Sequence, residues 1–202
     1  MTDEPRAVGA VLAGGRSTRM GTAKALVELA GRPLISHPLA AVADSSLEPI
    51  VVAKPDSPLP DLVCRVVLEP AEPAHPLRGI VSALEESGRR TVIALACDMP
   101  LVPPALLEWL AGLEAGVVVP RVGGRLQPLL ARYEPAVADA LCDALDRGAA
   151  AHEAVLALEP RVVAEDELAR FGDPKLICLN VNTPADLERA EAALGRSRSA
   201  PR

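Results

Sequence analysis

Apolar runs without polar alternation punctuate this chain, and stretches with helical spacing lie between them. Residues 8–12, 49–53, 63–68 and 91–96 read as short strands buried on both faces, and 116–120, 127–133 and 176–179 extend the series. Residues 33–43, 80–86, 103–113, 135–146 and 152–158 carry apolar side chains at helical intervals, as Leu106, Leu107 and Leu110 do. A last helix is expected over 183–194, with Thr183 as its cap, Pro184 at its first position and Asp186 in its first turn. Unalternating strands interleaved with helices imply an α/β fold, a mostly parallel sheet flanked by helices on both faces. Ligands of such sheets bind beyond the carboxyl ends of the strands. Residues just after strand ends are therefore the first candidates for function.

The length of 202 residues fits one domain, expected over residues 1–194, followed by a disordered basic tail at 195–202. Half of the residues are hydrophobic but only 1% are aromatic, so the core must be filled with Ala, Val, Leu and Ile. Scarce aromatics and a net charge of −6 argue against a nucleic-acid partner, which needs stacking platforms or a basic face. No apolar run approaches the length of a membrane span, and the N-terminus lacks the basic and apolar regions of a signal peptide. Cys64, Cys97, Cys142 and Cys178 form no CxxC pair and read as buried thiols of a reduced compartment, so a cytoplasmic protein without a membrane partner is expected.

The most informative stretch follows the first strand. It runs Leu12-Ala13-Gly14-Gly15, then on through Arg19 and Gly21 to Lys24. Glycines there let the backbone turn and approach a ligand, their N–H groups can meet phosphate oxygens, and Arg19 and Lys24 add positive charge. The P-loop spacing is not met, because Gly21 is followed by Thr22, and the adjacent glycines do not fit the dinucleotide fingerprint. A second candidate follows the strand at 91–96, which runs into Cys97-Asp98-Met99-Pro100. A carboxylate at a strand end suits Mg²⁺, which takes one or two protein carboxylates plus phosphate oxygens. The alternative is that Asp98 caps the helix after Pro103. Cys97 reads as core.

The pattern LAGGRSTRMGxxK resembles the signature of nucleotidyltransferases that couple a phosphate to a nucleoside triphosphate. With CDMP and with Asn180-Val181-Asn182-Thr183-Pro184, it is similar to the molybdenum cofactor guanylyltransferases, and the resemblance spans residues 8–194. It implies a Rossmann-like sheet of the nucleotide-diphospho-sugar transferase type. It also implies Mg²⁺-dependent transfer of GMP from GTP to Mo-molybdopterin, release of pyrophosphate, and transient contact with molybdoenzyme maturation proteins. Carried over residue by residue, Lys24, Arg19 and Asp98 are the catalytic candidates and Asp98 the metal ligand. Leu12, Ala13, Gly14, Gly15, Lys24, Glu69 and Asp98 are expected to hold the nucleotide, and Asn180, Asn182 and Gln127 the acceptor.

Several positions depart from that family's pattern. Ala23 stands where an Asp often precedes the Lys, and Glu69 is followed by Pro70 rather than a second acid. A GPLAG loop becomes His75-Pro76-Leu77-Arg78-Gly79, and the usual Asn after the second strand is not evident around Ala53-Lys54. A pyrimidine triphosphate such as CTP, or a nucleotide-binding protein that delivers cofactor without catalysis, remain the alternatives. Glu165-Asp166-Glu167 reads as a solvated connection.

Overall fold

The computed structural model describes residues 7–15 and 23–199. Ten strands run in chain order: β1 (Ala7–Leu12), β2 (Glu28–Leu29), β3 (Arg32–Pro33), β4 (Glu48–Ala53), β5 (Arg65–Leu68), β6 (Thr91–Ala96), β7 (Val117–Val122), β8 (Arg125–Leu126), β9 (Leu130–Tyr133) and β10 (Arg161–Val163). The helices are α1 (Ser36–Ala43), α2 (Pro76–Glu86), α3 (Pro104–Ala111), α4 (Ala138–Asp146), α5 (Ala151–Leu156), α6 (Glu165–Leu168), α7 (Pro174–Ile177) and α8 (Pro184–Ser199).

The main sheet has eight strands, seven of them in the order β10-β7-β9-β6-β1-β4-β5, with β8 paired to β7. β1 lies at its centre, parallel to β4 on one side and β6 on the other. Its Val8 and Ala10 join a core cluster with Leu77, Ile80 and Leu141 from α2 and α4, whereas Ala7 and Val11 join one with Val42, Leu106 and Leu110 from α1 and α3. The unalternating apolar run of β1 thus feeds two cores, as a strand covered on both faces must. From β1 the chain winds outward through β4 and β5, then returns to β6 on the opposite side. The order therefore reverses beside β1, and this switch point is where such sheets hold ligands.

The sheet is not parallel throughout. β9 runs antiparallel to both β6 and β7, and β7 turns into β8 through Gly123 and Gly124. Both glycines have positive φ (57° and 74°), the backbone that a two-residue hairpin turn demands. Residues 176–179, expected as a strand, do not form one. Pro174 starts α7 there, and the Asp173 side chain accepts a bond from the Lys175 N–H at 2.9 Å as its cap. A four-residue apolar run has too little length for periodicity to separate strand from helix.

Two further expectations change. Glu165, Asp166 and Glu167 form the first turn of α6 rather than a loose connection; Glu165 accepts from the Gly123 N–H (2.9 Å) and Glu167 pairs with Arg161 (3.0 Å). The last helix continues to Ser199, into the segment expected to be disordered, and residues 200–202 lie outside the described part. No helix among the described residues is long and apolar enough to cross a membrane.

Candidate functional site

Four neighbouring parallel strands end side by side, and the residue after each end carries a candidate group. Ala13, Gly14 and Gly15 follow β1, Lys54 follows β4, Glu69 follows β5, and Cys97 and Asp98 follow β6. All of them line one cavity of about 320 Å³, which Leu12, Lys24, His75 and Leu129 also border. The pairing of Leu12 with Val52 and Ala96, and of Ala53 with Leu68, keeps these ends level.

Lys24 opens a single 3-10 turn, Lys24–Leu26, that leads into the β2/β3 hairpin. Val27, Leu29 and Leu34 from this region pack against Leu179, Val181 and Ala190. That small core fastens the segment carrying Lys24 to the one carrying Asn182. The Val181 N–H donates to the Asp98 carbonyl at 2.9 Å, which ties the same segment to the end of β6. The three polar side chains converge as a result. Lys24 Nζ donates to Asp98 Oδ2 and, at 2.6 Å, to Asn182 Oδ1. The side chains of Lys24 and Asp98 are each 14% exposed, so their bond is sheltered from water. Asp98 does not cap α3, whose N-cap is Pro103 and receives no side-chain bond.

The turn that presents Asn182 is itself braced. The N–H groups of Asn182 and Thr183 donate to Asp186 Oδ2 at 3.2 and 3.0 Å, and the Thr183 hydroxyl donates to the same oxygen at 2.8 Å. The Asp186 N–H returns a bond to Thr183 Oγ1 at 3.2 Å, completing a capping box at the start of α8. The Thr183 hydroxyl above all, with the two backbone donors and Arg189, holds the Asp186 carboxyl below its ordinary range.

Glu69 is 5% exposed, and its carboxylate makes no hydrogen bond among the described residues. It lies against the glycines: a Cβ on Gly14 would stand 1.8 Å from Glu69 Oε1, and one on Gly79 would stand 3.1 Å from Oε2. Gly14 has no positive φ, so here glycine serves close approach rather than an unusual turn. Burial raises the Glu69 carboxyl above its ordinary range, opposed by the charges of Lys54 and Arg78. Burial, reinforced by Asp98, pushes the Cys97 thiol up to about 12, so it stays protonated and is no nucleophile.

The remaining expectations divide. Arg19 lies outside the described residues. Asn180 turns back on its own segment, its amide donating to the Cys178 carbonyl at 3.2 Å, and does not border the cavity. Gln127 likewise makes a local bond, to the Arg125 carbonyl at 3.4 Å, away from the cavity lining. His75 borders the cavity and caps α2, its Nδ1 accepting from the Leu77 N–H at 3.2 Å. Arg78 does not border it. Lys54 was not anticipated as a site residue. The strand-end rule alone would have found it, since it directly follows β4.

Asp98 offers a test of metal fit. Its Oδ1 is buried and has no hydrogen-bond partner among the described residues. An orphaned carboxylate oxygen at a cavity wall is costly unless a cation or donor completes it. Among the described residues no group of three or more His, Cys, Asp or Glu side chains could hold a metal. A single carboxylate suits an ion that draws its other ligands from phosphate and water.

Comparison with known proteins bears on the family and the fold. A family model described as the MobA-like NTP transferase domain matches residues 9–163. The chain is 34% identical over 201 residues to a probable molybdenum cofactor guanylyltransferase of Pelotomaculum thermopropionicum, covering 96% of each chain. It is also 34% identical to a molybdenum cofactor guanylyltransferase of Cereibacter sphaeroides, over 94% of this chain and 97% of that one. Among solved structures, molybdopterin-guanine dinucleotide biosynthesis protein A of Archaeoglobus fulgidus superposes with a TM-score of 0.75 at 27% identity, covering 93% of this chain and 98% of that one. A parallel-centred sheet with its polar groups gathered at one set of strand ends, matched over most of its length, makes this chain a member of the MobA-like NTP transferase domain family.

Proposed function

We propose that the protein transfers GMP from GTP to Mo-molybdopterin with release of pyrophosphate, in the synthesis of the guanine dinucleotide form of the molybdenum cofactor. The observation that carries the reading is the meeting of Lys24, Asp98 and Asn182 beside a cavity bordered also by Glu69, whose buried carboxylate makes no hydrogen bond among the described residues. Glu69 follows β5 at the outer edge of the sheet and leans over Gly14 at the end of β1, and Asp98 follows β6 on the other side of β1. The two carboxylates thus flank the glycine turn from opposite sides. Glu69 then faces the base, Leu12, Ala13, Gly14 and Gly15 run along the nucleotide, and Lys24 and Asp98 meet the phosphates. The names of the relatives support guanine and the molybdenum cofactor as the substrate pair.

An acceptor phosphate oxygen attacks the α-phosphorus in line. The bond from that phosphorus to the bridging oxygen breaks, and pyrophosphate leaves with the electron pair. The protein's part is positioning and charge. Lys24 already donates to two oxygens, so turning its ammonium toward a phosphate exchanges one set of acceptors for another. Asn182, released from Lys24, offers its amide to the acceptor side without adding charge. Asp98 would hold Mg²⁺ through its orphaned oxygen, and the ion when bound neutralises phosphate charge. Arg19 would add to the same field. The four free thiols suit a reducing compartment, and we assign the protein to the cytoplasm.

The experiment is to mix the protein with GTP, Mg²⁺ and Mo-molybdopterin and to measure pyrophosphate. Multiple turnovers with GTP above ATP, CTP and UTP are expected. Binding of GTP without release, with all substrates verified competent, would replace catalysis by cofactor delivery. A preference for CTP would replace the guanylyl reading.

A further inference from the structure

One buried charge in the cavity has no part in the chemistry above. Lys54 is 4% exposed and borders the cavity directly after β4. Its backbone is fixed by a tight turn: its N–H donates to Ser57 Oγ at 3.2 Å, and the Ser57 N–H donates back to its carbonyl at 3.0 Å. The ammonium donates to the Ala71 carbonyl. An ammonium has three hydrogens, and among the described residues Ala71 is the side chain's one acceptor. Glu69 lies near enough for its charge to be felt, yet the two groups form no direct ion pair. Two opposite charges, both almost wholly buried and both bordering the same cavity without closing on each other, are expensive unless a ligand completes them.

We propose that Lys54 is a specificity-determining residue that reads the guanine base together with Glu69, its ammonium donating to O6 while the two carboxylate oxygens accept from N1–H and N2–H. The inference rests on the guanylyl reading and adds to it the residue that selects against other bases. Along its pairing edge guanine presents acceptor, donor, donor. An ammonium beside a carboxylate offers one donor and two acceptors, the complement of that edge. Adenine offers an amino donor followed by the N1 lone pair, which faces a carboxylate oxygen. Cytosine offers one donor and two acceptors, and uracil an acceptor on each side of its N–H. Each of these sets at least one lone pair against the carboxylate or leaves it short of a donor.

The test is calorimetric titration, with Mg²⁺ present, of the wild-type chain and of Lys54→Met with GTP, 6-thio-GTP, ITP and ATP. Sulfur at position 6 is a poorer acceptor, while N1–H and the 2-amino group are kept; ITP lacks the 2-amino group alone. The wild-type chain is expected to bind 6-thio-GTP about tenfold more weakly than GTP. Lys54→Met should weaken GTP by about ten- to hundredfold and bring the ratio of GTP to 6-thio-GTP near one, while ITP stays penalised in both proteins. An unchanged ratio in folded Lys54→Met overturns the proposal. So does an equal loss for all four nucleotides, which would mark a phosphate contact. If the methionine variant does not fold, Lys54→Gln undergoes the same titrations with the same criterion. If the wild-type chain binds GTP no better than ATP, the guanylyl reading itself fails, and that result appears before any variant is made.

Discussion

Two sheltered ion pairs lie on neighbouring strands and are built in opposite ways. Arg132, on β9, has a side chain only 6% exposed, and every arm of its guanidinium is engaged. It donates to the carbonyls of Ala111 (3.4 Å) and Ala115 and to Glu134. Those acceptors lie at the last residue of α3, in the connection to β7, and directly after β9. Lys24 with Asp98, at the end of β6, is about as sheltered but incomplete: one carboxylate oxygen has no partner among the described residues. A closed polar network fixes a structure, whereas an open one keeps binding capacity in reserve. The first pair should therefore govern stability and the second function.

The largest expected effect tests the open pair. Lys24→Ala and Asp98→Asn should each lower turnover by about a hundred- to a thousandfold, roughly 3–4 kcal/mol of transition-state stabilisation. Thermal unfolding of Asp98→Asn, which keeps an acceptor for the Lys24 ammonium and removes the orphaned charge, should stay close to wild type. Pyrophosphate release and a melting curve on the same preparation check both halves. Either variant turning over at the wild-type rate would remove the pair from the mechanism.

The closed pair should respond the other way. Arg132→Met strands the Ala111 and Ala115 carbonyls and leaves Glu134, 37% exposed, to water. A loss of about 3 kcal/mol is expected, which for a chain of this size lowers Tm by roughly 6–12 °C. Turnover per folded molecule should not change. If this variant lost activity at an unaltered Tm, the division between the two networks would collapse.

The same contrast explains what could be read before the structure. Strand 91–96 was legible to the residue, because it is a dense apolar run bounded by Arg90 and by Cys97-Asp98. The helical spacing around Leu106 and Leu110 was equally plain. The antiparallel course of β9 was not, since burial on both faces looks the same for either direction. Three-residue β10 and four-residue α6 and α7 are too short to carry a period. At the site, local motifs pointed to Lys24 and Asp98, but contacts across the fold were invisible. The approach of Glu69 to Gly14 joins the ends of two strands that are not neighbours, and the bond from Lys24 to Asn182 spans 158 positions. The strand-end rule marks Lys54 as a position, but its burial rests on the turn to Ser57 and on the Ala71 carbonyl, contacts that the sequence does not show.

A smaller effect sharpens the base end. In Gly14→Ala the new Cβ would displace the Glu69 carboxylate, the mobile end of a side chain, so stability should fall by less than about 1 kcal/mol. Preference for GTP over ATP should drop by about tenfold. The pH dependence of binding gives an independent handle. Burial raises the Glu69 carboxyl, so in the free folded protein it takes up a proton above the ordinary carboxylate range. That uptake favours the folded state on acidification, and the benefit is lost as pH rises through the raised value. Guanine needs the ionised form, so GTP affinity should rise with pH over the same interval. Glu69→Gln should flatten both trends, measured by titrations and melts across a pH series. A wild-type affinity for GTP that holds constant through this range would argue that Glu69 does not face the base.

The smallest effect lies where the two kinds of network meet. Among the described residues Asp186 makes no hydrogen bond to Lys24 and does not border the cavity; it caps α8 and holds the backbone of Asn182 and Thr183. Losing a cap of this kind costs about 1 kcal/mol. If the cap only stabilised α8, Asp186→Ala would lower Tm by roughly 2–4 °C and leave kcat alone. Because the same carboxylate sets the turn that brings the Asn182 amide to Lys24, a few-fold fall in kcat should accompany the lost stability, with the KM for GTP little changed. Asp186→Asn, which keeps an acceptor for the Thr183 and Asn182 N–H groups, should recover most of both. A variant that lost stability with kcat intact would make the capping box part of the closed, structural class, and would confine the open class to Lys24, Asp98 and the base pair of charges.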